Sequence, residues 1–284
     1  MPPIVTRNFG VLGSPIGHSQ SPALHRAAIS ALGIDAVYGS TEVTESELAG
    51  FLESLGDTWA GLSLTMPLKQ VVRPMLAREC ATSTLTGAVN TAVRRPDGWE
   101  GYNTDVWGAT TAIRQQWGTE FRRAILLGAG ATASSLVVSM HDLGVESLDI
   151  VVRDPSRTDD VQAVARHLGI DVRVAPFGQS LDSADILVSS LPASAVLTPE
   201  ILGGLDAVAL FDVVYEPWPS ALGKEWAARG LRSISGLHML LWQAVRQARI
   251  FYGESVDEPL PDEEVVVTAM RAAVGLSRTS HLEE

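Results

Sequence analysis

Two kinds of pattern in this sequence could carry chemistry. The first is a glycine turn, Gly128-Ala129-Gly130-Ala131-Thr132-Ala133, which follows the apolar run Ala124 to Leu127 and opens a helical stretch. In that setting G-x-G-x-x-A suits a dinucleotide. Gly128 allows the tight turn, Gly130 lets backbone N–H groups approach a pyrophosphate, and Ala133 keeps the helix close to the strand. About 20 residues further on, where an acidic side chain would hold a ribose hydroxyl, Val152-Arg153-Asp154-Pro155-Ser156-Arg157 places two guanidinium groups past a strand end. Arg153 and Arg157 favour a 2′-phosphate, hence NADP(H), through charge-assisted bidentate bonds. Asp154 argues for NAD(H) if it meets the ribose, and is otherwise a turn residue ahead of Pro155.

The second pattern is four polar stretches in the first half: Gly17-His18-Ser19-Gln20-Ser21-Pro22, Ser63-Leu64-Thr65-Met66-Pro67-Leu68-Lys69, Gly87-Ala88-Val89-Asn90-Thr91 and Gly101-Tyr102-Asn103-Thr104-Asp105. Taken singly, each residue has an ordinary use. Ser19 or Ser21 can cap the helix that starts near Pro22. Lys69 reads as a solvated helix lysine and Asp105 as the N-cap of a helix from Val106 to Trp117, while Asn90 and Asn103 suit turns. His18 has no identified base or metal partner and is taken as structural.

Taken together and in this order ahead of a nucleotide-binding unit, the four stretches resemble the H-S-x-S-P, [NS]-x-T-x-P-x-K, G-A-[VI]-N-T and G-x-N-T-D segments of the shikimate dehydrogenase family, over about Phe9 to Phe251. The resemblance implies that Ser19 and Ser21 bind the substrate carboxylate, and that Thr65, Asn90 and Asp105 hold ring hydroxyls. It also implies that Lys69 transfers the proton, with Asp105 orienting it. Such a polyhydroxylated, carboxylated ring needs short hydroxyl, amide and carboxylate partners rather than an apolar slot. Further along, Val213-Val214-Tyr215 and Gly236-Leu237-His238-Met239-Leu240-Leu241-Trp242-Gln243 look like the family's closing elements. Tyr215 and Gln243 would then touch substrate, with Val213, Gly236 and Met239 near the nicotinamide. Without the resemblance, Gln243 reads equally as one of a polar face with Arg246 and Gln247 at helical spacing. Two departures stand out: His238 where the family often has a small residue, and Val152 and Asp154 where the adenosine-side motif usually has asparagine and threonine.

These residues need elements to hold them. From Phe9 to about Val106, β-type runs (Phe9 to Gly13, Val37 to Val43, Gly61 to Thr65) alternate with helical ones (Pro22 to Leu32, Ser46 to Leu55), as in an α/β layer. Ser21-Pro22 suits an N-cap and first turn. After Trp117-Gly118 a second rhythm runs through strands Ala124 to Leu127, Leu148 to Val152, Asp185 to Ser189 and Val208 to Val213, with a helix from Ala133 to Leu143, as in a doubly wound unit. The chain returns to helix at Leu237 to Phe251 and Asp262 to Val274. The expected architecture is α/β in two domains: a discontinuous catalytic domain, 1–107 with 239–284, and a Rossmann-type NADP-binding domain, 108–238.

At 284 residues and 46% hydrophobic composition, the chain can bury two modest cores. A net charge of −12 without a basic block gives no attraction to nucleic acid or anionic lipid. A single cysteine, Cys80, forbids an intramolecular disulfide and reads as an indifferent thiol. Met1 to Asn8 lacks an export signal and no segment reaches the roughly 18 apolar residues of a membrane span, so a soluble, cytoplasmic protein is expected. Ser280 to Glu284 reads as a disordered end.

The expected activity is therefore the reversible NADPH-dependent reduction of 3-dehydroshikimate to shikimate in aromatic amino-acid biosynthesis, by a monomer or homodimer without a metal. Two alternatives stay open: a quinate/shikimate dehydrogenase using NAD, which Asp154 keeps alive, and a nonenzymatic dinucleotide sensor, since fold alone does not establish chemistry.

Overall fold

The computed structural model describes residues 6–118 and 120–276. The Ser280 to Glu284 end and residues 1–5 of the amino-terminal stretch lie outside them. The chain forms two compact units. The first falls within Met1–Thr84, Ala88–Thr104 and Gln243–Glu284, the second within Leu85–Gly87 and Asp105–Trp242. One helix, Gly236–Tyr252, carries the chain from the second back to the first.

The first unit holds a six-stranded mixed sheet of β1 (Arg7–Gly13), β2 (Ala36–Glu42), β3 (Trp59–Leu64), β4 (Arg78–Glu79), β5 (Thr91–Arg95) and β6 (Gly98–Tyr102), in the order β2-β1-β3-β5-β6-β4. The β1, β2 and β3 strands run parallel, and β5 and β6 form an antiparallel hairpin beside them. That hairpin, absent from the sequence expectation, is the connection between the third and fourth polar stretches. Its register pairs Thr91 with Tyr102, bringing Asn90 and Asn103 to one end of the sheet. Leu12, Leu62 and Leu64 pack on one face with Leu48, Leu68 and Val89, whereas Phe9, Val11 and Tyr38 pack on the other with Ile29 and Phe251.

The second unit is a fully parallel sheet of β7 (Arg123–Leu127), β8 (Ser147–Val152), β9 (Asp171–Pro176), β10 (Ala184–Ser189), β11 (Ala207–Asp212) and β12 (Arg232–Ser235). Its order, β12-β11-β10-β7-β8-β9, is that of the doubly wound dinucleotide fold, with the reversal between β7 and β10. The unbroken apolar run of β7 follows from burial on both faces. Ala124 and Leu126 of β7 enter one core, and the intervening Ile125 and Leu127 enter the other. Each such fully buried Leu or Ile contributes about 1.5–3 kcal/mol relative to an exposed one.

Element identities follow the sequence expectation, with ends moved by one or two residues; the expected Ser46 to Leu55 helix is Leu48–Ser54. Ser21 is a correction. It is not the N-cap but the first residue of helix Ser21–Leu32, preceded by Gln20 in helical conformation with no side-chain capping bond. A proline in the first turn already dispenses with one N–H and presets the helical φ, which lowers the need for a capping oxygen.

Candidate active site

In the first unit, separate stretches of sequence meet around Asn90. Glycine at position 13, the end of β1, makes room for the second stretch: a Cβ there would lie 2.5 Å from Thr65 Cγ2 and 2.8 Å from the Met66 carbonyl oxygen. Thr65 is then pinned by its N–H donating to Leu12 O (2.9 Å) and its carbonyl accepting from Leu68 N–H (2.7 Å). Half-buried Lys69 sits in the one-turn helix Leu68–Val71, and its carbonyl accepts from Val89 N–H at 2.8 Å. That bond sets Lys69 beside the chain one residue before Asn90.

Asn90 is 2% exposed and held by several hydrogen bonds. Its Oδ1 accepts from Thr104 N–H (2.9 Å), Thr104 Oγ1 (3.1 Å) and Thr91 Oγ1 (2.8 Å); its Nδ2 donates to Thr104 Oγ1 (2.9 Å) and to Gln243 Oε1 (3.5 Å). Gln243 and Gln247 are both buried within the first unit, so the polar face read from their spacing is an internal one. Gln243 meets Asn90 and Thr104, while Gln247 meets His25, Ser63 and Thr91. Ser19 lies just before the first helix, its Oγ accepting from the N–H of buried Ser21 at 3.3 Å. His18 is exposed, and Cys80 is half-buried against Ser83.

In the second unit, the glycine turn lies at the carboxyl end of β7, at the strand-order reversal. Gly128 has φ +98°, a conformation side chains other than glycine rarely adopt, and a Cβ there would strike Ser190 Oγ at 2.5 Å. Gly130 precedes helix Ala131–Asp142, and a Cβ on it would meet nothing within 4 Å, which leaves the backbone open to a ligand at the helix start. Ala133 is fully buried, as close helix-to-strand packing requires. Ala129, Ala131 and Thr132 complete the turn. These features fit a dinucleotide pyrophosphate.

Past β8, Arg153 and Arg157 are exposed. Asp154 turns onto its own loop: Oδ1 accepts from Ser156 N–H (3.0 Å) and Ser156 Oγ (2.7 Å), and these bonds hold its carboxyl below the usual range. In the structure it is therefore the turn residue of this loop, flanked by the two exposed guanidinium groups.

Val213 follows β11, its N–H donating to Ser189 O (3.0 Å), and Gly236 N–H donates to Val214 O (3.2 Å). Asp212 braces the segment, accepting from Val214 N–H (3.2 Å) and Ser220 Oγ (2.6 Å), with burial raising its pKa. Tyr215 follows, its phenol pKa raised by burial and then by the charge of Glu216. Met239 is buried in the core and His238 half-buried beside it in sequence. Asp105, 4% exposed, opens helix Asp105–Trp117, where a carboxylate complements the helix dipole. Among the described residues no group of three or more His, Cys, Asp or Glu could hold a metal, and no helix is long and apolar enough to cross a membrane.

A doubly wound parallel sheet with a glycine turn at its reversal, joined to an α/β unit carrying a buried hydroxyl and amide cluster, defines a two-unit protein of the dinucleotide-binding class. The family model for the shikimate dehydrogenase substrate binding domain matches residues 11–92. The chain is 33% identical to shikimate dehydrogenase (NADP(+)) of Thermosynechococcus vestitus, over 96% of this chain and 98% of that one. The crystal structure of Mycobacterium tuberculosis shikimate dehydrogenase superposes with a TM-score of 0.81 at 35% identity, covering 94% of this chain and 99% of that one. That of Thermus thermophilus shikimate 5-dehydrogenase in complex with NADP(H) and shikimate gives 0.80 at 28% identity, covering 94% and 100%. The chain belongs to the shikimate dehydrogenase family.

Proposed function

We propose that this protein is an NADP-dependent shikimate dehydrogenase, acting in the cytoplasm on the route to aromatic amino acids. The observation that carries the reading is the Asn90 cluster. Lys69, Asn90, Thr104 and Gln243, distant in sequence, are tied into one unit by backbone and side-chain bonds, in a chain whose relatives are named for this activity across their whole length. The exposed Arg153 and Arg157, with Asp154 turned onto Ser156, support NADP(H) over NAD(H). The quinate-and-NAD alternative is not favoured, and a sensor would have no use for a proton donor.

Asn90, Thr65 and Gln243 hold the ring hydroxyls, Ser19 and Ser21 bind the carboxylate, and Tyr215 adds a phenol whose pKa burial raises further. Backbone N–H groups from Gly128 to Thr132 cradle the pyrophosphate, while Val213, Gly236 and Met239 border the nicotinamide. When bound, the dinucleotide supplies the hydride for the C3 carbonyl of 3-dehydroshikimate, or accepts it from shikimate. Lys69 gives its proton to the C3 oxygen as negative charge develops there, and in the reverse direction neutral Lys69 takes the hydroxyl proton. Asp105 accepts a hydrogen bond from the substrate and orients the lysine. Most of the substrate groups thus come from the discontinuous unit, and the doubly wound unit holds the dinucleotide.

The deciding experiment is the initial rate of NADPH formation from shikimate and NADP⁺, with parallel reactions holding NAD⁺ or quinate. Turnover confined to shikimate with NADP⁺ is expected; preference for NAD⁺ or quinate would replace the reading, and no turnover at all would make it a binding protein.

A further inference from the structure

Behind the Asn90 cluster lies a buried polar network that no step above uses. Gln247, 1% exposed on helix Gly236–Tyr252, is its hub. Gln247 Nε2 stands 3.2 Å from the Asn90 carbonyl oxygen, a group that can only accept, so this end of the amide must be the NH₂. It donates as well to Thr91 Oγ1 at 2.9 Å. Gln247 Oε1 therefore accepts, from Ser63 Oγ at 3.0 Å and from His25 Nε2 at 3.1 Å. Ser63 Oγ in turn accepts from Tyr38 O–H at 2.6 Å. His25 is wholly buried, stacked on Tyr38 with ring centroids 4.2 Å apart. With its proton on Nε2, its Nδ1 accepts from Tyr252 O–H at 3.1 Å.

Every bond in this chain has one direction. Tyr38 donates to Ser63, Ser63 to Gln247, Gln247 to Thr91, and Thr91 to Asn90 Oδ1 at 2.8 Å. The far end is fixed independently, because Thr104 N–H, which can only donate, also points to Asn90 Oδ1. Both ends agree on one orientation of the Asn90 amide.

We infer that Gln247 is a positioning residue for the substrate: through Thr91 and the Asn90 carbonyl it locks the Asn90 amide so that N–H, rather than C=O, is offered on the Gln243 side. Asn90 then discriminates for an oxygen that accepts a hydrogen bond, and the cost of orienting it is met in the free protein rather than on binding. The inference rests on the reading of Asn90 as a substrate-binding residue.

Two ligands separate this role from general support, because the dinucleotide turn belongs to the other unit. Calorimetric titrations of the wild type and Gln247→Met with shikimate and with NADP⁺, alongside steady-state KM values, test it. The variant is expected to weaken shikimate binding by about tenfold, the loss of one oriented bond, with NADP⁺ affinity unchanged. In an Asn90→Ala background Gln247→Met should add nothing further, since the two act as one unit. Unchanged shikimate affinity, equal weakening of both ligands, or additive losses would overturn the inference. If Gln247→Met fails to melt cooperatively, Thr91→Val, which deletes the relaying hydroxyl at constant shape, is expected to give the same tenfold selective loss, and a selective loss absent there overturns it equally. A wild type that binds no shikimate would remove the functional reading itself, and the inference with it.

Discussion

Gly236 lies so close to Val213 that a Cβ on it would stand 1.9 Å from the Val213 carbonyl oxygen and 2.4 Å from the carbonyl carbon. Both neighbours are backbone, which cannot rotate away as a side-chain tip could. The glycine at the start of helix Gly236–Tyr252 is therefore required by the packing of β11's exit against that helix.

Gly236→Ala is expected to be destabilised by about 3 kcal/mol, lowering the melting temperature by roughly 5–10 °C. It should also raise the KM for NADP⁺ more than that for shikimate, because Val213 is displaced. A scanning-calorimetry melt superimposable on the wild type would refute the steric argument.

Lys69 should be required for turnover rather than for folding. Its side chain is half-buried on a one-turn helix, and the backbone carbonyl bond to Val89 survives truncation. Lys69→Ala is expected to lose about 10²–10⁴-fold in kcat while keeping a wild-type melt. Near-wild-type turnover would take the proton-transfer role away from it.

Cofactor choice should follow the arginines and not Asp154. Replacing Arg153 and Arg157 together by alanine is expected to raise the KM for NADP⁺ by at least about tenfold with little change for NAD⁺. Asp154→Asn should barely alter the NADP⁺/NAD⁺ ratio, because its carboxylate is engaged with Ser156. A switch to NAD⁺ preference on changing Asp154 rather than the arginines would reverse the assignment.

His25 sets an acid limit on stability. Burial lowers its pKa from 6.5 to about 4, against a smaller opposing effect of the Gln247 bond. The unfolded chain therefore binds this proton more readily than the folded one, so stability is fully present above pH 6.5 and is lost as pH falls toward 4. The loss amounts to about 3 kcal/mol across that window. Urea melts of the wild type at pH 7, 5.5 and 4.5, set against those of His25→Phe, should show the acid loss smaller in the variant; parallel pH dependences would dissociate it from His25.

Much of this was legible without coordinates. The doubly wound unit shows itself in strands such as Ala124 to Leu127 because a parallel sheet buried on both faces needs unbroken apolar runs. Its glycine turn shows itself because Gly128 needs a positive φ and Gly130 an open face. The four polar stretches were recognisable as a set through their resemblance, in order, to the segments of the shikimate dehydrogenase family. Such signals are local: each states what its own few residues can and cannot do.

What tertiary structure alone decided is partnership. The hairpin of β5 and β6 sets Asn90 against Thr104, and a single carbonyl bond brings Lys69 alongside Val89. Whether Ser21 or Gln20 ends up as the cap depends on how the preceding loop enters the helix, which residue preference does not encode. Gln243 and Gln247 have the same spacing whether they face water or a core; burial against Asn90 and His25 distinguished the two. Likewise the sequence leaves Asp154 free to point outward or onto its own turn, and in the fold it accepts from Ser156 Oγ at 2.7 Å. Hydrogen-bond partners far apart in the chain leave no periodic trace in sequence, because their meeting is set by sheet order and register rather than by local preference.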